Sequence, residues 1–94
     1  MRDDEFEWDD VKAAANLARH GVSFESARRA FDDPHAILRD DFRERYGEDR
    51  YTLLGMVRDQ LFYVAYTLRA DRIRIISARG AEPYERRHYQ KKSR

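Results

Sequence analysis

Three apolar-rich segments, 51–57, 61–68 and 72–79, follow one another with only Arg58-Asp59-Gln60 and Arg69-Ala70-Asp71 between them. Parallel neighbouring strands need a crossover of about a dozen residues or more, so joints this short dictate an antiparallel meander. A further strand is expected at 35–40, around the apolar centre Ala36-Ile37-Leu38. Between it and the meander, residues 41–50 are charged and contain Gly47, the composition of an exposed loop.

Ahead of the sheet the pattern changes to helix. Phe6 and Trp8 flank Glu7 in a short alternation that fits a brief edge strand or an aromatic-packed arm. Asp9 or Asp10 then caps a first helix, on which Val11, Ala14, Ala15 and Ala18 form one stripe with Leu17 beside it. Gly21 ends that helix in the left-handed conformation, and Val22 folds back as the apolar contact after the cap. Ser23 caps a second short helix with Phe24, Ala27 and Phe31 on one face, stopped by Asp32-Asp33-Pro34. Gly80 ends the sheet, Pro83 opens a last helix, and the basic residues 90–94 are expected to fray. The order is βααββββα, an α/β (α+β) arrangement in a single domain over residues 1–94. It implies a twisted antiparallel sheet with two N-terminal helices and one C-terminal helix.

Several function classes are excluded or disfavoured. The chain has no cysteine, so it has no disulfide framework, thiolate zinc site or cysteine nucleophile. Its acidic opening, MRDDEFEWDD, is not a signal peptide, and no apolar run approaches the length of a membrane span, which points to the cytoplasm and to no membrane partner. Scattered histidines and acids give no metal-ligand spacing, and no glycine-rich phosphate loop is present, so neither metal nor nucleotide cofactor is expected. Sequence-specific DNA reading stays open but weakly signalled: the second helix carries Arg28 and Arg29 but also Glu25, Asp32 and Asp33, a poor charge for a groove.

The net charge of +1 is a near-cancellation of unlike halves. Residues 1–68 carry −5 and residues 69–94 carry +6. Charge separated in this way is either a solvating basic surface or a phosphate-facing one built from the last strand and helix. In strand 72–79, alternation puts Ile73 and Ile75 on the core face and Arg72 and Arg74 opposite. The same alternation would send Arg79 inward with Ile75, so a bulge or the strand end must turn it out. At such an edge it is expected to bury little.

Metal-free RNA cleavage needs a base for the 2′-hydroxyl, a cation for the phosphorane oxygens and an acid for the leaving 5′-oxygen. Glu85 is a candidate base, with His20 and His88 as alternatives. Arg50, Arg74 and Arg79 suit phosphate, because a guanidinium offers a planar fork of donors. Tyr89, one turn beyond Glu85, can donate a hydrogen bond or stack on a base. Each has a structural use as well: His20 as a favourable charge at a helix C-terminus, Tyr89 as cover for the sheet, Glu85 as partner of a nearby arginine.

Phe6-Glu7-Trp8-Asp9, Lys12-Ala13, Asn16-Leu17 and His20-Gly21-Val22-Ser23-Phe24-Glu25-Ser26-Ala27 together resemble the opening of the BrnT toxins. Phe31-Asp32-Asp33-Pro34, Gly47-Glu48-Asp49-Arg50-Tyr51 and Gly55-Met56 continue the resemblance. Arg72-Ile73-Arg74-Ile75-Ile76-Ser77-Ala78-Arg79 and Glu85-Arg86-Arg87-His88-Tyr89 close it. It implies a RelE-like fold and an endoribonuclease toxin that stops growth by cutting RNA. It also implies a partner, a BrnA-like antitoxin of ribbon-helix-helix type, with operator DNA contacted only through the complex of the two. Matched residue by residue, it points to Lys12, His20, Arg50, Arg74, Arg79, Glu85 and Tyr89. With the charge pattern, the candidate catalytic set is Arg50, Arg79, Glu85, Tyr89 and His20, and the phosphate-binding set Lys12, Arg72, Arg74, Arg86 and Arg87. The chain departs from its relatives at Ala81, where they often have Thr or Ser, so the cap of the last helix must come from elsewhere. Two other functions share these residues: a non-cleaving, antitoxin-binding co-repressor subunit, and a small RNA-binding module.

Overall fold

Each short joint of the meander becomes a two-residue turn, Arg58-Asp59 and Ala70-Asp71, with Arg58 and Ala70 at φ of 57° and 55°. Positive φ at the first turn residue matches the right-handed twist of the flanking strands. The computed structural model describes residues 1–41 and 49–92. In chain order the elements are β1 Phe6–Glu7, α1 Asp10–His20, α2 Phe24–Arg28, a 3-10 turn Arg29–Asp32, β2 Ile37–Asp41, β3 Arg50–Val57, β4 Gln60–Arg69, β5 Arg72–Gly80 and α3 Pro83–Lys92. The α+β class and the βααββββα order are as expected, with the 3-10 turn extending α2. Of the loop expected at 41–50, Asp41 ends β2, Arg50 begins β3, and 42–48 lie outside the described residues.

One expectation about the sheet is corrected here. The sheet, in order β1-β5-β4-β3-β2, is mixed and not wholly antiparallel, because β1 pairs parallel to β5. The connection between those two strands runs through the rest of the fold, so no hairpin constrains their direction. The last helix runs from Pro83 to Lys92, and within it the Tyr89 hydroxyl donates to Asp33 Oδ2 at 2.6 Å.

One face of the sheet is covered by α1, α2 and the 3-10 turn, over Leu53, Phe62, Val64, Tyr66, Ile75 and Ala78. Ser23 caps α2 through the Ser26 amide, and Phe24 and Ala27 are buried as the spacing requires. Edge-to-face rings tie the layers: Trp8 to Phe24 at 5.8 Å, Phe6 to Phe31 at 5.3 Å, Phe31 to Tyr66 at 5.0 Å. Asp9 caps α1, but the apolar stripe expected on that helix is not what it buries. Val11 is 79% exposed and Leu17 50%, whereas Asn16 is buried. The reason lies in β1, which meets β5 at Ile73 and Arg74 and leaves the outer edge of β5 bare further on. A buried backbone edge needs hydrogen bonds, which alkyl groups cannot supply. The Asn16 carboxamide supplies them, donating to Ala78 O at 2.8 Å and accepting from Ala78 N at 3.1 Å.

Gly55 permits the closest approach between the 3-10 turn and the sheet. A Cβ there would stand 2.7 Å from Ala30 O and 2.8 Å from Leu53 Cδ2. Gly55→Ala is therefore expected to destabilise the fold by about 1–3 kcal/mol through overpacking, read as a lower urea midpoint with unchanged slope.

Candidate active site

The opposite, more open sheet face is crossed, among the described residues, by α3. Residues Ile37 and Arg39 of β2, Thr52 and Leu54 of β3 and Tyr63 of β4 share this face by cross-strand register. On β5 the phase of side chains is reset. Ala65 pairs with Ser77, but the next residue, Tyr66, pairs with Ile75, so Ile76 is an extra residue on the β5 side. This is the expected bulge: Ile75 and Ala78 are both buried in the core, and Arg79 emerges on the open face opposite Tyr63. Its guanidinium lies 4.3 Å from the centre of the Tyr63 ring.

The helix α3 begins without a serine or threonine cap, and Glu85 takes over that task. Its Oε1 accepts from the Glu82 amide at 2.7 Å, while the Glu82 carbonyl accepts from Arg86 N at 3.0 Å. This is the acidic half of a capping box. The same carboxylate binds Arg79 at two points, Nη1 to Oε1 at 2.7 Å and Nη2 to Oε2 at 3.0 Å. Burial raises the Glu85 pKa, but the Arg79 guanidinium and the Glu82 amide outweigh it and hold the carboxyl below its ordinary value. Glu85 is 6% exposed and both oxygens are occupied. It is built to fix Arg79, a use the sequence left open beside that of base.

Glu85 and His88 lie on the helix side that faces the sheet, as the i,i+3 spacing requires. With Tyr84 they wall a cleft of about 310 Å³, closed on the other side by Ile37, Arg39, Thr52, Leu54 and Tyr63. Arg39 Nη2 lies 3.1 Å from His88 Nε2. Arginine has only donors, so the imidazole nitrogen is the acceptor and carries no proton in this contact. Arg39 and Tyr63 were not among the sequence candidates. Alternation did place Arg39 on the face of Ile37, but nothing local showed that α3 crosses there.

The other candidates are distributed as follows. Arg50 and Arg74 belong to the open face, on the strands that flank Thr67, about 13 Å along β4 from Tyr63. Arg74 donates to Glu7 Oε2 at 2.6 Å, and Arg72 Nε donates to Asp3 O at 2.7 Å, so both tether the N-terminal arm. Arg86 and Arg87 are exposed on α3. Lys12 and His20 are exposed on α1, one turn either side of Asn16 along the β5 edge, and not on the layer of α3. Tyr89 is 7% exposed and packs with Leu54 and Leu61, so the sheet-covering use is the one its position fits. Asp33, read from sequence only as a helix stop, accepts from the Met56 amide at 2.8 Å as well as from Tyr89.

Burial, followed by the Asp33 hydrogen bond, pushes the Tyr89 hydroxyl up to about 12. The fold holds the neutral phenol, so this contribution is complete below the ordinary tyrosine pKa of about 10 and is lost as pH rises through about 12. Tyr89→Phe should lower stability at neutral pH by about 1.5–3 kcal/mol. It should also remove that part of the alkaline loss, as measured by urea unfolding across about pH 9–12.

A family model described as "Ribonuclease toxin, BrnT, of type II toxin-antitoxin system" matches residues 8–85. The match includes Asn16, Asp33, Arg79 and Glu85 and stops before His88 and Tyr89, which rest on geometry alone. Comparison with curated proteins finds none that matches. Among the described residues no helix is long and apolar enough to cross a membrane. With most of its length matched, the chain belongs to the BrnT family of ribonuclease toxins of type II toxin–antitoxin systems.

Proposed function

We propose that this protein is an endoribonuclease that cuts RNA through the 2′-hydroxyl, without a metal, in the cleft between the open sheet face and α3. One juxtaposition carries the proposal: Glu85 and Tyr63, which hold Arg79 at two points and from beneath its guanidinium, line the same cleft as His88, whose Nε2 accepts from Arg39. Arg79 holds a non-bridging phosphate oxygen, and its preorganised cation stabilises the charge that builds there. His88 takes the proton of the 2′-hydroxyl. The attacking 2′-oxygen bonds to phosphorus, the bond to the 5′-oxygen breaks, and the imidazolium returns its proton to that leaving oxygen. The products are a 2′,3′-cyclic phosphate and a free 5′-hydroxyl. Exposed Tyr84 at the cleft wall offers a base-stacking surface that buried Tyr89 does not. Among the described residues no group of three His, Asp or Glu side chains gathers that could hold a metal ion.

The test is end analysis of a labelled RNA oligonucleotide after incubation. Removing Arg79 alone would strand the buried Glu85 carboxylate, so the variant of choice is Arg79→Ala with Glu85→Gln, which keeps the cap of α3. It should stay folded and lose about 10²–10³-fold in kcat. Wild-type cleavage should persist in EDTA and leave cyclic phosphate ends. Binding without new ends would make the protein an RNA-binding module instead.

Growth arrest by cleavage in the cytoplasm, and neutralisation by a BrnA-like antitoxin of ribbon-helix-helix type that alone brings the pair to operator DNA, complete the proposal. The antitoxin covers the cleft with acidic side chains and apolar anchors. Arg72 and Arg74 are committed to the N-terminal arm, whereas Arg39, Arg86 and Arg87 stand exposed to a partner. Wild-type association should slow as salt rises, and a triple Ala variant at these positions should associate about tenfold or more slowly at low salt. Equal rates for both proteins at every salt concentration would rule out capture at the basic face.

A further inference from the structure

Arg39 differs from the arginines of this fold that pair with a carboxylate. Arg28, Arg74 and Arg79 each pair with a carboxylate, of Asp3, Glu7 and Glu85. Arg39, exposed on edge strand β2, instead reaches across the cleft to a neutral imidazole nitrogen. A neutral nitrogen is a weaker partner for a guanidinium than an anionic oxygen. Among the described residues no carboxylate pairs with Arg39, and both it and His88 line the cleft.

We infer that Arg39 is a substrate-operated catch on His88, an inference that rests on the ribonuclease reading above. In the free protein the guanidinium donates to the Nε2 lone pair that a base would use. An RNA phosphate entering the cleft is the stronger acceptor and draws Arg39 to its non-bridging oxygens. The exchange places a cation on the phosphate opposite Arg79 and bares Nε2 beside the 2′-hydroxyl. Base and phosphate clamp are thus assembled in one movement, by the substrate itself. An exposed side chain on an edge strand can move in this way without disturbing the core.

The test uses the full chain, a 2′-O-methyl oligoribonucleotide that binds but is not cut, and the ¹⁵N signals of the His88 ring. Free wild type should show the Nδ1–H tautomer, and Arg39→Ala should show a different His88 signal because nothing caps Nε2. Saturating wild type with the oligonucleotide should move its His88 signal away from the free position, and in Arg39→Gln, which can donate but has no charge, the signal should stay put. Both variants should bind the oligonucleotide about 10–100-fold more weakly, the loss expected when a charge-assisted hydrogen bond is removed. Circular dichroism confirms folding, and Arg39→Gln keeps the side chain's reach should Arg39→Ala fold poorly. The catch is overturned if His88 gives one signal in free wild type and Arg39→Ala, if bound oligonucleotide leaves the wild-type signal unmoved, or if the variants bind as wild type does. Failure of wild type to cut any RNA would instead defeat the ribonuclease reading, while the His88 signals still decide whether phosphate displaces Arg39.

Discussion

A β-strand sends successive side chains to opposite faces with a period of two, and β5 breaks that period once, at Ile76. Before the break Ile73 and Ile75 point to the helical layers, and after it Ala78 does. With an unbroken period, Ser77 and Arg79 would enter the core beside Ile75, and a guanidinium would meet an apolar layer without a partner. The extra residue turns Arg79 to the side where Tyr63 and Glu85 wait. Two other features depend on the same bulge. It sets Ala78 where its backbone can meet the Asn16 carboxamide, and it orients the strand end from which the chain enters α3. Core, edge and cleft are therefore set by a single irregularity in one strand.

What the bulge presents, the first turn of α3 secures. This helix, PYERRHYQKK, has little apolar surface to bury, so polar anchors must locate it. Glu85 anchors the first turn and Tyr89, through Asp33, the second. A buried carboxylate is strongly unfavourable unless ionic and hydrogen-bonding partners compensate for lost water. Three donors meet Glu85: two nitrogens of Arg79 and the Glu82 amide. Cap and clamp are thus one arrangement, and the angle of α3 over the cleft is tied to the position of the arginine. The missing Ser or Thr before the helix has a consequence beyond capping, because it leaves the N-cap amide to a side chain that also holds Arg79.

The sequence disclosed most where local rules decide. Short joints required the antiparallel meander, Ser23 and Asp9 or Asp10 marked helix starts, and the inward phase of Arg79 required either a bulge or the strand end to turn it out. Contacts between distant segments were not legible. Asn16 stands among alanines that look like the buried stripe, and only the bare stretch of β5 explains why an amide is buried in their place. Asp33 has the composition of a helix stop, and its two further partners come from β3 and α3. The parallel pairing of β1 depends on the path of the entire intervening chain. In the cleft, the arginines of β5 drew attention because they cluster in sequence, whereas Arg39 stands alone in β2 and reaches His88 only because α3 crosses the sheet.

The charge split of the chain changes meaning once folded. The acidic N-terminal arm does not face away from the basic C-terminal segment; it consumes part of it, with Glu7 on Arg74 and the Asp3 carbonyl on Arg72. These arginines hold β1 and its arm against β5. Among the described residues, Arg39 lines the cleft, and α3 carries the exposed cations Arg86, Arg87, Lys91 and Lys92. Exposed charges of this kind are screened by salt and add little to stability, but they attract and orient an incoming polyanion. Arg79 differs in kind: half-buried, stacked on Tyr63 and held at two points, it needs little reorganisation to meet developing charge. Capture and catalysis thereby fall to different arginines, and Arg39, exposed yet in contact with His88, is the residue at which the two functions meet.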